Sequence, residues 1–175
     1  MRFLWLFVLM LTVAVPTTRA ADWLAWRKVG DATLTWGPFS VYHSQLRTPD
    51  GRYIGLQQDQ ALIITYQRSI TRDELVDATR EQWQAQGILE REPQSALWLQ
   101  TLRTLWPNVD QGSQLAFVVS GEQGQFWYRA SSAQPSFTPL GPPQSPAFSE
   151  QFLAIWLGPH TQYPELRLQL IGGKP

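Results

Sequence analysis

The sequence contains no cysteine, two histidines, and no apolar run after its first fifteen residues long enough to cross a bilayer. No disulfide framework is available to it, so the fold must be held by a hydrophobic core. His43 and His160 fall short of the three or four ligands a metal site wants, and no metal or other cofactor is expected. His43 instead sits among Ser and Gln on an alternating stretch and reads as a half-exposed strand residue. Basic clusters are also missing. Fourteen Lys and Arg match fourteen Asp and Glu, with the arginines scattered singly among acids, which argues against a nucleic-acid partner. No G-x-S-x-G or other local nucleophile signature occurs, so hydrolase chemistry has nothing to rest on and no catalytic residue is named.

What is present begins with Met1–Ala20: Arg2, an apolar run Phe3–Val15, Pro16, then small residues ending in Thr18-Arg19-Ala20. This is the pattern of a cleaved secretory signal peptide, predicting a mature chain from Ala21 and a periplasmic location. Cleavage there leaves 155 residues with 12 basic against 14 acidic groups, a formal charge of −2, in a single domain over residues 21–175. Eight tryptophans remain in that mature chain. At roughly 150–250 Å² apiece, even half of them buried would give a large apolar term.

Strand signals dominate the first half. Ala32, Leu34 and Trp36 alternate with Thr33 and Thr35, Gly37-Pro38 punctuates, and Phe39–Arg47 alternates again before the turn chemistry of Thr48-Pro49-Asp50-Gly51. With Ala61–Arg68 these make three strands in antiparallel meander order. Period-two alternation puts Leu62, Ile64, Tyr66 and Arg68 on one face, apolar at one end and polar at the other. Thr71 then caps a helix, with Glu74 completing the S/T-x-x-E box, and Leu75, Val76, Thr79 and Trp83 form its apolar stripe up to Gly87. Asp73, Asp77 and Glu81 lie on its solvated side. Pro93–Trp106 predicts a second helix. Gln114–Ser120 and Gln125–Ala130 predict a hairpin around Gly121-Glu122-Gln123-Gly124, and Ser131–Pro146 predicts an aperiodic surface loop. Phe148, Phe152, Ile155 and Trp156 mark a third helix stopping at Gly158-Pro159, and Tyr163–Leu170, with Pro164 in its first turn, marks a short fourth. The fold class expected is α+β.

Three stretches carry a resemblance: VYHSQLRTPDGRY at Val41–Tyr53, LWPNVDQGSQLAF at Leu105–Phe117, and FSEQFLAIWLGPHTQYPELRLQLIGG at Phe148–Gly173. Together they resemble the bacterial chalcone isomerase-like proteins, exported proteins of largely unassigned role. Their fold is shared with plant chalcone isomerase and plastid fatty-acid-binding proteins. The resemblance implies an antiparallel sheet with helices packed on one face, an open-faced sandwich enclosing an apolar cleft. In the plant enzymes an Arg near the start of the sheet holds the ionised substrate. Here the corresponding stretch is Gly30-Asp31-Ala32-Thr33-Leu34, with Arg27 and Lys28 the nearest cations and hydroxyls from Thr33 and Ser40.

Tyr66 and Arg68, one strand step apart at the polar end of an apolar face, are the candidate contacts for a carboxylate or phenolate head group. The competing placement has Tyr66 in the core and Arg68 paired with an acid such as Asp73. Tyr42, predicted on the same side as Ser40 and Ser44, is the third candidate. Three functions follow from the resemblance and the residues: a non-catalytic pocket for a small hydrophobic acid such as a fatty acid, an isomerase acting on a chalcone-like phenolic, or a periplasmic protein-interaction module.

Overall fold

The computed structural model describes residues 22–173. The expected signal segment and its cleavage point lie outside them. Six strands form one antiparallel sheet in chain order: β1 Arg27–Trp36, β2 Phe39–Thr48, β3 Gln60–Tyr66, β4 Gln114–Ser120, β5 Gln123–Arg129 and β6 Thr138–Gln144. Five helices accompany it: α1 Arg72–Ala85, α2 Ile88–Arg91, α3 Ser95–Leu105, α4 Pro146–Leu157 and α5 Pro164–Leu170. This is an α+β fold.

Alternation decides which side chains meet the helices. Leu62, Ile64 and Tyr66 of β3 join Leu115, Phe117 and Val119 of β4 in the main core with Val76 and Trp83 of α1 and Phe148 and Phe152 of α4. Start and stop of α1 follow the local chemistry. Thr71 Oγ1 accepts from the Glu74 amide at 3.2 Å while the Glu74 carboxylate accepts from the Thr71 amide at 2.8 Å, and Gly87 ends the run at φ 71°. Ser145 caps α4 in the same way, accepting from the Phe148 amide, with Pro146 at its first position.

The opposite face is not bare. Ala61, Ile63, Ala116 and Val118 form a second, smaller core with Phe137 and with Trp23, which enters from a 3-10 turn at Asp22–Ala25. β3 and β4 are nearly continuous apolar runs, as suits strands covered on both faces.

Three expectations need correction. The stretch Ser131–Pro146 is not all loop, because Thr138–Gln144 pairs with β5. Its sequence, TPLGPPQ, hides the strand: three prolines cannot donate to a ladder, and only an edge strand tolerates them. The helix expected over Pro93–Trp106 is shorter, Ser95–Leu105, and the single turn α2 precedes it. The third strand ends at Tyr66, so Arg68 lies in the bend beyond it.

Helix α5 packs on β1 through Gly30, where an added Cβ would overlap the Gln169 carbonyl oxygen and lie 2.7 Å from that of Leu170. Because the obstacle is backbone, Gly30→Ala is expected to cost about 1–3 kcal/mol and lower Tm by several degrees. An unchanged thermal midpoint would mean that α5 does not sit on β1.

Candidate functional site

A cavity of about 170 Å³ lies between α1 and the sheet. Its walls come from Leu62, Ile64 and Tyr66 of β3, Leu115 and Phe117 of β4, Phe126 of β5, Leu75, Ala78, Thr79 and Gln82 of α1, Phe152, Ile155 and Trp156 of α4, and Trp106. Leu34, Val41 and Tyr42 close the side nearest the β1–β2 hairpin, and Glu74 and Tyr163 complete the lining.

A bulge explains why two consecutive residues of β2 face inward. Leu34 pairs with Tyr42 and Thr35 with Ser40, leaving Val41 as the extra residue, so Val41 and Tyr42 both line the cavity. The slip also removes Ser40 from the side that Tyr42 and the buried Ser44 share, correcting the strict alternation read from sequence. Ser44 donates its hydroxyl to the Ala32 carbonyl at 3.0 Å and is spent there.

Of the three candidate contacts, the structure brings two together. Tyr42 and Tyr66 are cross-strand partners with ring centroids 6.3 Å apart, edge to face. Arg68 does not line the cavity: it is exposed and borders a shallow depression with Pro38, Phe39, Gln67 and Gln111, and Tyr66 lines that depression as well as the cavity. Nor does it pair with Asp73, whose carboxylate takes Arg103 of α3 at 3.1 Å, while the other arm of Arg103 reaches Asp77 at 3.1 Å. Those acids stand on the solvated face, as their helical position implied.

The polar groups at the cavity are few and uncharged except at its rim. Trp156 Nε1 donates to the Tyr42 hydroxyl at 2.8 Å, which leaves the Tyr42 proton free to donate elsewhere. Trp106, 6% exposed, has an indole N–H with no hydrogen-bond partner among the described residues. Gln82 donates its amide to the Tyr163 hydroxyl at 3.2 Å across the cavity edge, while its own carbonyl oxygen is buried and unpaired among the described residues. Burial pushes the Tyr66 hydroxyl well above its ordinary value of 10.0, and the neighbouring Tyr42 adds to the rise. Burial likewise raises Tyr42, with the Trp156 hydrogen bond offsetting part of it and Tyr163 adding to it. Both phenols therefore stay protonated donors. Glu74, at the rim, is held below its ordinary value by its hydrogen bonds to Thr71 and stays ionised.

These raised phenols set an alkaline limit. A hydroxyl whose folded pKa exceeds its unfolded one contributes stability in full below the unfolded pKa, and that contribution is lost as pH climbs toward the folded one. Above about pH 10, stability should fall by about 1.4 kcal/mol per pH unit for Tyr66. Urea midpoints across that range should show a shallower decline in Tyr66→Phe. Identical slopes in both proteins would place the hydroxyl in solvent.

No family model matches this chain. It is similar to an uncharacterized protein of Haemophilus influenzae, 25% identical over 167 residues, which cover 95% of this chain and 76% of that one.

The two alternative sources of a cation are elsewhere. Arg27 and Lys28 begin β1, at the end opposite Leu34, and Lys28 is engaged with Asp31 at 3.0 Å. His43 is half-buried on the far face of the sheet, 3.1 Å from Thr33 Oγ1 through Nδ1 and 3.4 Å from Asp31 through Nε2. That row resembles a catalytic triad in its order, but neither His43 nor Asp31 lines the cavity. Trp106 and Gln82 escaped the sequence reading. Trp106 read there as the end of an apolar helix stripe, and only its unpaired N–H, a tertiary fact, marks it out.

Proposed function

We propose that the chain is an exported, non-catalytic protein of chalcone isomerase-like fold that holds one small hydrophobic acid in the cavity beneath α1. The observation that carries this reading is an apolar cavity lined by Trp106, whose buried indole N–H has no hydrogen-bond partner among the described residues. Buried polar groups are ordinarily paired, so an orphan donor on a residue that lines open space is matched by a polar group of what occupies that space. Volume limits the occupant. A cavity near 150 Å³ holds benzene, so about 170 Å³ suits one aromatic ring or a short to medium acyl chain, and a longer fatty acid would have to protrude.

Among the described residues that line the cavity there is no Arg, Lys or His, while Glu74 adds a negative charge at the rim. The head group is therefore held by hydrogen bonds from Tyr42, Tyr66 and Trp106, as the neutral acid. Tyr phenols kept protonated by burial donate and do not act as bases, which supports binding over isomerisation. Mass action then fixes a pH dependence: above the ligand's own carboxyl pKa the competent fraction falls, so apparent affinity should weaken about tenfold per pH unit. Titration calorimetry at two pH values measures it. Affinity that does not change with pH would mean the carboxylate is bound instead.

The same method, with a panel of short-, medium- and long-chain fatty acids and single-ring phenolic acids, tests the reading as a whole. Tyr66→Phe removes one neutral hydrogen bond worth about 0.5–1.5 kcal/mol and should weaken binding roughly three- to tenfold. Arg68→Ala should leave binding in solution unchanged. Equal binding by wild type and Tyr66→Phe would move the head group elsewhere, and stereospecific turnover of a chalcone would promote the isomerase reading.

A further inference from the structure

The hairpin joining β1 to β2 ends in a two-residue turn, Gly37-Pro38, with Gly37 at φ 58°. Trp36 and Phe39 flank that turn as register partners, and both are in solvent, 74% and 64% exposed. Alternation places Trp36 on the face of Leu34 and Phe39 on the face of Val41. Leu34 and Val41 line the cavity. The two exposed rings thus continue, beyond Leu34 and Val41, the strands that close this side of the cavity.

Beside them stands Arg68, sharing a shallow depression with Pro38 and Phe39. Among the described residues it enters no ion pair: Asp73 is engaged with Arg103, and Glu74, bonded to Thr71, feels the Arg68 charge only at longer range. An aromatic pair on a tight turn next to an exposed guanidinium that makes no direct ion pair, contiguous with an apolar cavity, is a combination of features and not a single exposed side chain.

We propose that the Trp36/Phe39 tip is a membrane-contacting lip, which inserts its two rings at the headgroup level of an anionic phospholipid bilayer while Arg68 meets a lipid phosphate. The cavity reading gives this lip its purpose, since a hydrophobic acid could pass between bilayer and cavity without crossing bulk water, but the geometry of the lip does not depend on it. Size favours a bilayer over a protein. Two aromatic rings offer roughly 150–250 Å² each, well short of the ~800 Å² per partner of a stable protein interface. A convex hairpin tip also needs no matching pocket in a fluid surface. Trp is suited to the boundary, having an apolar body and one polar N–H, and a guanidinium near an anionic leaflet adds electrostatic attraction. A contact of this size is reversible.

Co-sedimentation of the mature chain with vesicles decides it, using phosphatidylglycerol mixed with phosphatidylethanolamine in one arm and phosphatidylcholine alone in the other. Wild type should partition onto the anionic vesicles. Trp36→Ser combined with Phe39→Ser should reduce partitioning about tenfold or more. Arg68→Ala should remove the preference for anionic lipid, and Ile54→Ser, a still more exposed apolar position away from the hairpin turn, should change nothing. Because Trp36 and Phe39 are exposed, the double variant should keep the wild-type thermal midpoint. Absence of wild-type binding at low salt, or equal binding by the double variant, would overturn the proposal. So would a dimer that disappears in the double variant without any vesicle binding, which would assign the tip to a second copy of the chain. Vesicle binding is measured without acid and acid binding without vesicles, so the lip and the cavity reading can fail separately.

Discussion

Trp83→Ala is expected to destabilise the protein by about 3–5 kcal/mol, a large share of the 5–15 kcal/mol that holds a typical domain together. Trp83 is fully buried on α1. Its ring meets Trp98 of α3 at 5.7 Å and Phe148 of α4 at 6.1 Å, both edge to face, and its N–H donates to the Gln151 carbonyl at 3.1 Å. One side chain therefore ties three helices together, and truncation removes packing from all of them. Small shifts cannot fill the space, because the surrounding rings are themselves interlocked: Trp98 also packs on Phe148 at 5.6 Å. A urea midpoint matching wild type would show that α1 does not present this face to the core.

Phe152→Ala should cost a similar amount, about 3–5 kcal/mol, and should also change what the protein binds. Phe152 is 4% exposed and touches five aromatic rings, those of Trp106, Phe117, Phe126, Phe148 and Trp156, at centroid distances from 5.0 to 6.0 Å. It also lines the cavity, so the volume it vacates joins that space. Binding preference should move toward longer or bulkier acids, and a saturating ligand should restore part of the lost stability. At one hundred times its Kd the ligand returns about 2.7 kcal/mol. Thermal midpoints with and without a graded series of acids measure both effects. If the preferred ligand size does not change, the cavity is not where the ligand sits.

Much of this architecture was legible because local chemistry and tertiary structure agree. The Thr71–Glu74 box, the stripe through Val76, Thr79 and Trp83, and the glycine at position 87 are all short-range signals, and the chain obeys them. The meander of the first three strands followed from period two and turn residues. Strand β6 was invisible, since a stretch with Pro139, Pro142 and Pro143 satisfies no strand propensity and is paired only because it lies at an edge. The face of a side chain was predictable only while the register held. The bulge at Val41 turned Ser40 away from Tyr42, and the end of β3 at Tyr66 left Arg68 outside the cavity. A bulge or a strand end is decided by the partner strand, and single-strand alternation does not contain that information. For the same reason the pairing of Tyr42 with Tyr66 could be guessed from neighbouring strands, whereas the idle N–H of Trp106 could not. Its significance depends on which groups fail to reach it across the fold.

The most direct test of the cavity reading is native mass spectrometry of the mature protein, purified from its own host without denaturation or detergent. The account predicts a complex heavier than the chain by one small monocarboxylic acid, of single-ring or short to medium chain length. That mass should vanish on denaturation, and the released molecule can be identified. A chain that flies at its bare mass, and takes up no acid from the panel when incubated with it, would contradict the account.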